Sequence, residues 1–356
     1  MRILVTGHQG YIGTVLVPTL QARGFDVTGM DSDLYRNSTF GAPPLPVPSI
    51  AKDIRDCERR DLEGFDAVIH LAGLSNDPLG DLNPDLTYDI NHLGTVRLAT
   101  LCKQAGVERF LFSSSCSTYG AAGDDILDES AAFHPVTPYG NSKVLAEQDL
   151  SQLADASFSP VYLRNATAFG FSPRLRFDLV LNNLTAWAHC TGRIYLKSDG
   201  TPWRPVVHIR DISQAFLRAL TAPREVVHDQ AFNVSVDTEN YRIRQIAEIV
   251  GEIIPGCRID FAPGAGPDKR NYRVSGEKAR RLLGFCPDWT VRAAAVELYN
   301  AFRSYGLTVE EFEGPRYKRI DQIRQLLGSG MLDASLRWQS RAASEHEKEA
   351  AHAVHG

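Results

Sequence analysis

Apolar positions along the chain alternate between two forms. Arg2–Thr6 is a short, nearly unbroken apolar run, and after the glycines that follow it Ile12–Arg23 carries apolar residues at helical spacing. Further runs of the first kind lie at Phe25–Met30, Ala67–Leu71, Arg109–Ser113 and Val161–Asn165, with helical stretches such as Tyr88–Gln104 and Tyr139–Ala154 between them. A continuous apolar run reads as a strand covered on both faces, and strands alternating with helices predict an α/β fold with a Rossmann-type, doubly wound parallel sheet. After Phe171 the alternation weakens. The Ser172–Arg176 loop, Trp187, Trp203 and the Gly200–Pro202 turn predict a smaller, mixed α/β lobe. The expected organisation is a cofactor lobe over 1–170 to which 202–240 returns, a substrate lobe from 171–201 and 241–335, and a disordered polar tail over 336–356. The proline-rich stretch Ala42–Val47 is expected to be irregular.

Chemistry first enters at Gly7, Gly10 and Gly13, which form a GxxGxxG set between the first strand and the first helix. There a pyrophosphate can rest against free backbone N–H groups, with Gln9, Tyr11 and Ile12 beside it, because no side chain blocks the approach. Asp31, at the end of the second strand, stands where an acid accepts hydrogen bonds from an adenosine ribose. An acid there repels a 2′-phosphate, so the expected cofactor is NAD, and Asp33 adds to the repulsion. Asp53 and Ile54, and Leu71, Ala72 and Gly73, fall in loops at the carboxyl edge of the sheet and are expected to flank adenine and pyrophosphate.

Tyr139 and Lys143 stand four positions apart, on one helix face and about one turn from each other. A lysine beside a tyrosine lowers the phenol's pKa, which suits it to take a proton from a hydroxyl at neutral pH. Ser113–Gly120 reads SSSCSTYG and sets several hydroxyls at the carboxyl end of a strand, the edge where open α/β sheets bind ligands.

Composition narrows the setting. The 356 residues are 43% hydrophobic and 23% charged with formal net charge −5, enough chain for one large α/β unit or two joined lobes. Basic residues form no stripe, so no nucleic-acid partner is expected. The six cysteines show no CxxC pair and no zinc-ligand spacing, so no metal is expected and a reducing compartment is. The N-terminal apolar run is too short for a membrane span and lacks a signal-peptide pattern, which makes the expected protein cytoplasmic, with no membrane partner.

Taken together, TGHQGYIG, HLAG, SSSCSTYG and PYGNSK, in this order and spacing, resemble the extended short-chain dehydrogenase/reductases, the NAD-dependent sugar epimerase/dehydratase family, over roughly residues 1 to 300. The resemblance implies an NAD-dependent enzyme acting on a sugar attached to a nucleoside diphosphate. It implies that Ser115 hydrogen-bonds the sugar hydroxyl beside Tyr139, that Lys143 and Tyr139 also hold the nicotinamide end, and that Asn91 supports the active-site network. Asn183, Arg204 and Arg270 correspond to nucleotide-diphosphate contacts, and Ser75, Ser117 and Thr167 to the sugar pocket, together with the segments Leu74–Pro78 and Ser172–Arg176. Arg174 and Arg176 read equally well as surface ion pairs. A homodimer joined through a four-helix bundle is implied as well.

Departures from the family pattern sort the reactions. The 4,6-dehydratases carry an Asp–Glu pair where this chain has Cys116 and Ser117, and the decarboxylases an acid at Ser117. A redox-neutral epimerisation needs only Tyr139, Ser115, Lys143 and NAD, and is the leading expectation. A net dehydrogenase, reductase or dehydratase is the alternative, and a non-catalytic NAD-binding protein a remote one. Cys116 has two readings, a thiol acting on the sugar or a small buried residue. Thr167 replaces the asparagine usual in 4-epimerases.

Overall fold

The run Ile3–Val5 is wholly buried because its strand lies in the middle of a sheet covered on both faces. The computed structural model describes residues 1–75, 83–263 and 270–339. Seven parallel strands, β1 (Arg2–Thr6), β2 (Asp26–Asp31), β3 (Ser49–Ala51), β4 (Ala67–His70), β5 (Arg109–Ser115), β7 (Ser159–Asn165) and β11 (Gln230–Val234), are ordered β11-β7-β5-β4-β1-β2-β3. This is the expected doubly wound sheet. Ile3, Val5 and Leu163 pack one face against helices Gly13–Gln21 and Ile209–Thr221. Leu4, Val68 and Phe110 pack the other against helices Gly94–Gln104 and Pro138–Leu153.

A second core, built on Phe177, Leu184, Ile246, Leu298 and Phe302, lies in the smaller lobe. The remaining strands are β6 (Ala121–Leu127), β8 (Thr167–Phe169), β9 (Arg193–Leu196), β10 (Trp203–His208), β12 (Asn240–Arg242), β13 (Arg258–Phe261) and β14 (Asn271–Val274), and they form the short sheets β12-β10-β8, β13-β9 and β14-β6.

Three features depart from the sequence expectation. The helix read from Tyr88 begins at Pro84, where Asn83 caps it by accepting from the Leu86 N–H at 3.1 Å, and passes through a π-helical turn at Asp89–Leu93 before Gly94–Gln104. Such turns displace side chains from the regular helical face and are frequent at functional sites. The second departure is Glu277–Leu283, whose Ala279 and Leu283 pack with Phe216 and Phe232 against the main sheet, not in the second lobe.

The third concerns the chain end. Helix Arg319–Gly328 sets Ile323 and Leu326 under the first lobe, and Leu332 and Leu336 follow them into that core. Trp338 donates its indole N–H to the Ser32 carbonyl at 2.6 Å, and Arg337 pairs with Asp56 at 2.8 Å. Regular packing therefore reaches Trp338, whose half-buried indole lies against the core that Leu332 and Leu336 enter; the part of the expected tail from 340 lies outside the described residues.

Candidate active site

The strand order reverses between β1 and β4, and the crevice there is the usual ligand position in open α/β sheets. Gly7, at φ +73°, ends β1 so close to the loop after β4 that a Cβ would stand 2.6 Å from the Ala72 nitrogen. A Cβ on Gly13 would stand 2.5 Å from the carbonyl oxygens of Gly7 and His8. The loop is thereby drawn tight, and the N-terminus of helix Gly13–Gln21 opens on a cleft. Every residue predicted for the cofactor lines it except Asn91, Tyr139 and Lys143, and Ser75 lines it too.

Asp31 accepts from the Gln9 N–H at 2.9 Å and the Asp33 N–H at 2.8 Å, which fixes its carboxylate at the end of β2. Asp33 is turned toward Arg174 at 3.4 Å, and burial raises its pKa to about 6 despite that neighbour. Asp31 and Asp33 both line this end of the cleft, and Arg174 offsets part of the Asp33 charge. Asp53 is held by Arg55, whose Nε and Nη2 donate to its two oxygens at 3.0 and 2.7 Å, and Arg55 continues to Asp89 at 2.8 Å. A glycine cradle, a helix N-terminus and a fixed acid at the end of the second strand fit NAD.

Asn91 reaches the site indirectly. Buried in the π-helical turn, it accepts from the Leu74 N–H at 2.7 Å and donates to the Leu74 carbonyl at 2.9 Å and to Ser142 Oγ at 3.4 Å. It ties the loop after β4 to the helix that carries Tyr139.

That helix starts where local chemistry dictates: Thr137 accepts from the Gly140 N–H at 3.1 Å and Pro138 occupies the first turn. Tyr139 thus sits in the first turn with Lys143 one turn on. Lys143 is 6% exposed and donates to the Ser113 carbonyl at 2.8 Å, with its Nζ 4.5 Å from the centroid of the Phe112 ring and 5.8 Å from that of Tyr139. Burial lowers its pKa to about 8, against the opposing pull of Glu147. Glu147, on the same helix, forms a buried pair with Arg164 of β7 at 2.7 Å.

Lys143 makes stability depend on pH in a definite direction. Its ordinary pKa of 10.5 falls to about 8 in the fold, so between these values the unfolded chain holds the extra proton and stability rises with pH. Denaturant titrations are expected to show wild type gaining on Lys143→Met from pH 8 to 10.5. A difference independent of pH across that window contradicts the buried ammonium.

At the carboxyl end of β5, Ser115 accepts from the Ser117 N–H at 3.1 Å and the Ser117 hydroxyl at 2.7 Å, which leaves its own O–H to donate. Ser113 accepts from Asn165 at 3.0 Å and Ser114 donates to Glu147, so Ser115 and Ser117 are the pair the run of hydroxyls leaves for the site. Cys116 faces away. It is fully buried among Tyr119, Leu163 and Ala166, donates to the Arg164 carbonyl at 3.1 Å, and burial pushes its thiol far above the ordinary range. Of its two readings, the packing one describes the fold, and Cys116 leaves the catalytic set.

Thr167 pairs in register with Val206, two residues beyond Arg204 on β10. Arg204 is 5% exposed and donates to the Arg270 carbonyl, which brings together two arginines far apart in the chain. Asn183 donates its amide to the Phe177 carbonyl at 2.8 Å. The part of the expected pocket segment at 76–78 lies outside the described residues.

The Ser172–Arg176 segment, expected at the sugar pocket, reaches the cofactor cleft through Arg176. Ser172 donates to the Tyr11 carbonyl at 2.9 Å, Arg174 to the Tyr35 carbonyl at 2.8 Å, and Arg176 to Ser75 Oγ at 3.1 Å. Both arginines are under 8% exposed and are not surface ion pairs. Lys52, Arg319 and Leu336 also line the cleft, although no motif marks them in the sequence.

Residues 3–235 match the model of the NAD dependent epimerase/dehydratase family. A UDP-glucose 4-epimerase of Azospirillum brasilense is 30% identical, the match covering 82% of this chain and 90% of that protein. The structure of a Thermus thermophilus UDP-glucose 4-epimerase in complex with NAD is similar at a TM-score of 0.71 with 25% identity, over 85% of this chain and 99% of that one. MoeE5 in complex with UDP-glucuronic acid and NAD is similar at a TM-score of 0.75 with 26% identity, over the same shares of the two chains.

Proposed function

The chain belongs to the NAD dependent epimerase/dehydratase family, and we propose that it is a redox-neutral epimerase of a sugar carried on a nucleoside diphosphate. The observation that carries this reading is the composition of the β5 edge. Tyr139 and Lys143 share a helix turn beside it, Ser115 keeps a free hydroxyl proton, and the two positions after Ser115 hold a core thiol and a serine bonded to Ser115, not an acid pair for loss of water. Held in the cleft lined by Gly7, Gly10, Gly13 and Asp31, NAD would supply a reversible hydride acceptor for the sugar carbon.

The protein's own residues manage the proton. Tyr139 as phenolate accepts it from the reacting hydroxyl, Ser115 hydrogen-bonds that hydroxyl, and the Lys143 charge favours the phenolate. The same tyrosine returns the proton after the sugar turns over. Arg204 and Arg270 suit a diphosphate, which guanidinium groups bind in a fork. The names of the relatives support a UDP-hexose reacting at carbon 4, with Thr167 marking a sugar pocket of its own composition.

Leu93 and Leu145, 57% and 37% exposed on the π-helical turn and on the Tyr139 helix, support pairing of two copies through those helices as a four-helix bundle. Six free cysteines support a reducing, cytoplasmic setting. Among the described residues no helix is long and apolar enough to cross a membrane.

The test is to denature the protein, identify released cofactor, and incubate intact enzyme with UDP-sugars while following the reduced-nicotinamide band. The expected result is an isomer of unchanged mass without accumulating NADH. Stoichiometric NADH with an oxidised sugar makes the enzyme a dehydrogenase.

A further inference from the structure

We propose that Arg319, carried by the C-terminal helix, is a cofactor-binding residue that neutralises the dinucleotide's pyrophosphate, so that the strap formed by residues 319–338 is part of the cofactor site. The inference rests on the reading of the cleft as an NAD site. Among the described residues three cations line that cleft: Lys52, Arg176 and Arg319. Lys52 pairs with Asp61 at 2.7 Å, and Arg176 is forked onto Asp178 at 3.0 and 2.5 Å. The nearby Arg174 pairs with Asp33. Among the described residues Arg319 alone of these forms no direct ion pair; Asp178, already held by Arg176, acts on it only through space.

Its surroundings make that exceptional. Arg319 is 2% exposed, its guanidinium lies 3.6 Å from the centroid of the Tyr35 ring, and its Nη2 makes a long bond of 3.4 Å to the Arg174 carbonyl. Among the described residues its Nη1 has no partner, and two further polar atoms beside it, Tyr35 Oη and Arg174 Nε, are likewise buried without one. Burial and the neighbouring Arg176 lower its pKa to about 10, which leaves it charged at neutral pH. A buried cation without a counterion destabilises a fold unless an anion meets it. A dinucleotide brings two phosphate charges, whereas a helix N-terminus offers about half a positive charge.

The strap is built to stay in place. Leu336 lines the cleft, Trp338 donates to the Ser32 carbonyl, and Arg55 donates to the Ser335 carbonyl at 2.8 Å. These ties join it to Ser32 and to the Asp53–Asp56 turn, which border the same cleft.

The experiment compares Arg319→Met with wild type, both stripped of cofactor, by thermal melting and by calorimetric titration with NAD, ADP-ribose and adenosine. The variant is expected to melt at or above wild type without ligand, because an unpaired buried charge is gone. It is expected to bind NAD and ADP-ribose at least tenfold more weakly while binding adenosine unchanged. Arg319→Lys, which keeps the charge without the fork, is expected to fall between. Unchanged affinities for NAD and ADP-ribose in a folded variant, or a lower melting temperature with unchanged affinity, overturn the inference while leaving the cofactor reading intact. A wild-type protein that binds neither NAD nor ADP-ribose overturns both.

Discussion

Tyr139→Phe is expected to lower turnover of an accepted nucleotide sugar by about 100- to 10,000-fold, the range for loss of a positioned general base, and to leave NAD affinity within about twofold. The hydroxyl is the only group removed, and the proposed reading assigns it the reacting proton. The helix cap at Thr137, the bond from Lys143 to the Ser113 carbonyl and the Asn91 bridge to Ser142 do not involve it. The loss should therefore fall on kcat, with little change in KM. Near-normal turnover in Tyr139→Phe would remove Tyr139 from the mechanism, and a parallel collapse of NAD binding would recast it as a cofactor-holding residue.

The largest loss of stability is expected from Glu147→Ala. The Arg164 guanidinium donates from Nε to both Glu147 oxygens at 3.1 Å and from Nη2 at 2.7 Å, with both side chains no more than 6% exposed. Breaking a buried pair by removing one member costs about 3–5 kcal/mol, because the other charge stays behind unpaired. Glu147 is also the acceptor for Ser114, and through Arg164 the network continues to the Tyr119 hydroxyl at 2.9 Å and the Glu129 carbonyl at 3.2 Å. The pair pins the helix bearing Tyr139 and Lys143 to β5 and β7, so activity should fall along with stability. Without the carboxylate, the Lys143 pKa should drop below about 8, since Glu147 is what holds it up. Chemical denaturation measures the stability, and a loss under about 1 kcal/mol contradicts the buried-pair reading.

Those two side chains differ in how they are reached. Tyr139 and Lys143 are legible in the sequence because their relation is local: four positions on a helix set the geometry whatever the rest of the chain does. The glycine loop and Asp31 are legible for the same reason, since the loop's positive φ and the end of a strand are properties of short segments. The Glu147–Arg164 pair spans two elements and has no motif. Only the packing of the helix on β7 makes the two charges meet, and only burial makes the meeting matter.

The alternation of apolar runs and helical stretches determined the parallel sheet, its order of elements and the edge that carries the chemistry, because period and run length are written residue by residue. Tertiary structure decided the remainder. It buried Cys116 in the core, set Arg176 in the cofactor cleft with Arg174 beside it, and brought Arg204 to Arg270. It also folded 319–338 back onto the first lobe, where the sequence predicts a polar tail from 336. Each of these outcomes turns on which distant surfaces exclude water together, and a charge or thiol acquires its role from that exclusion, which no local spacing encodes.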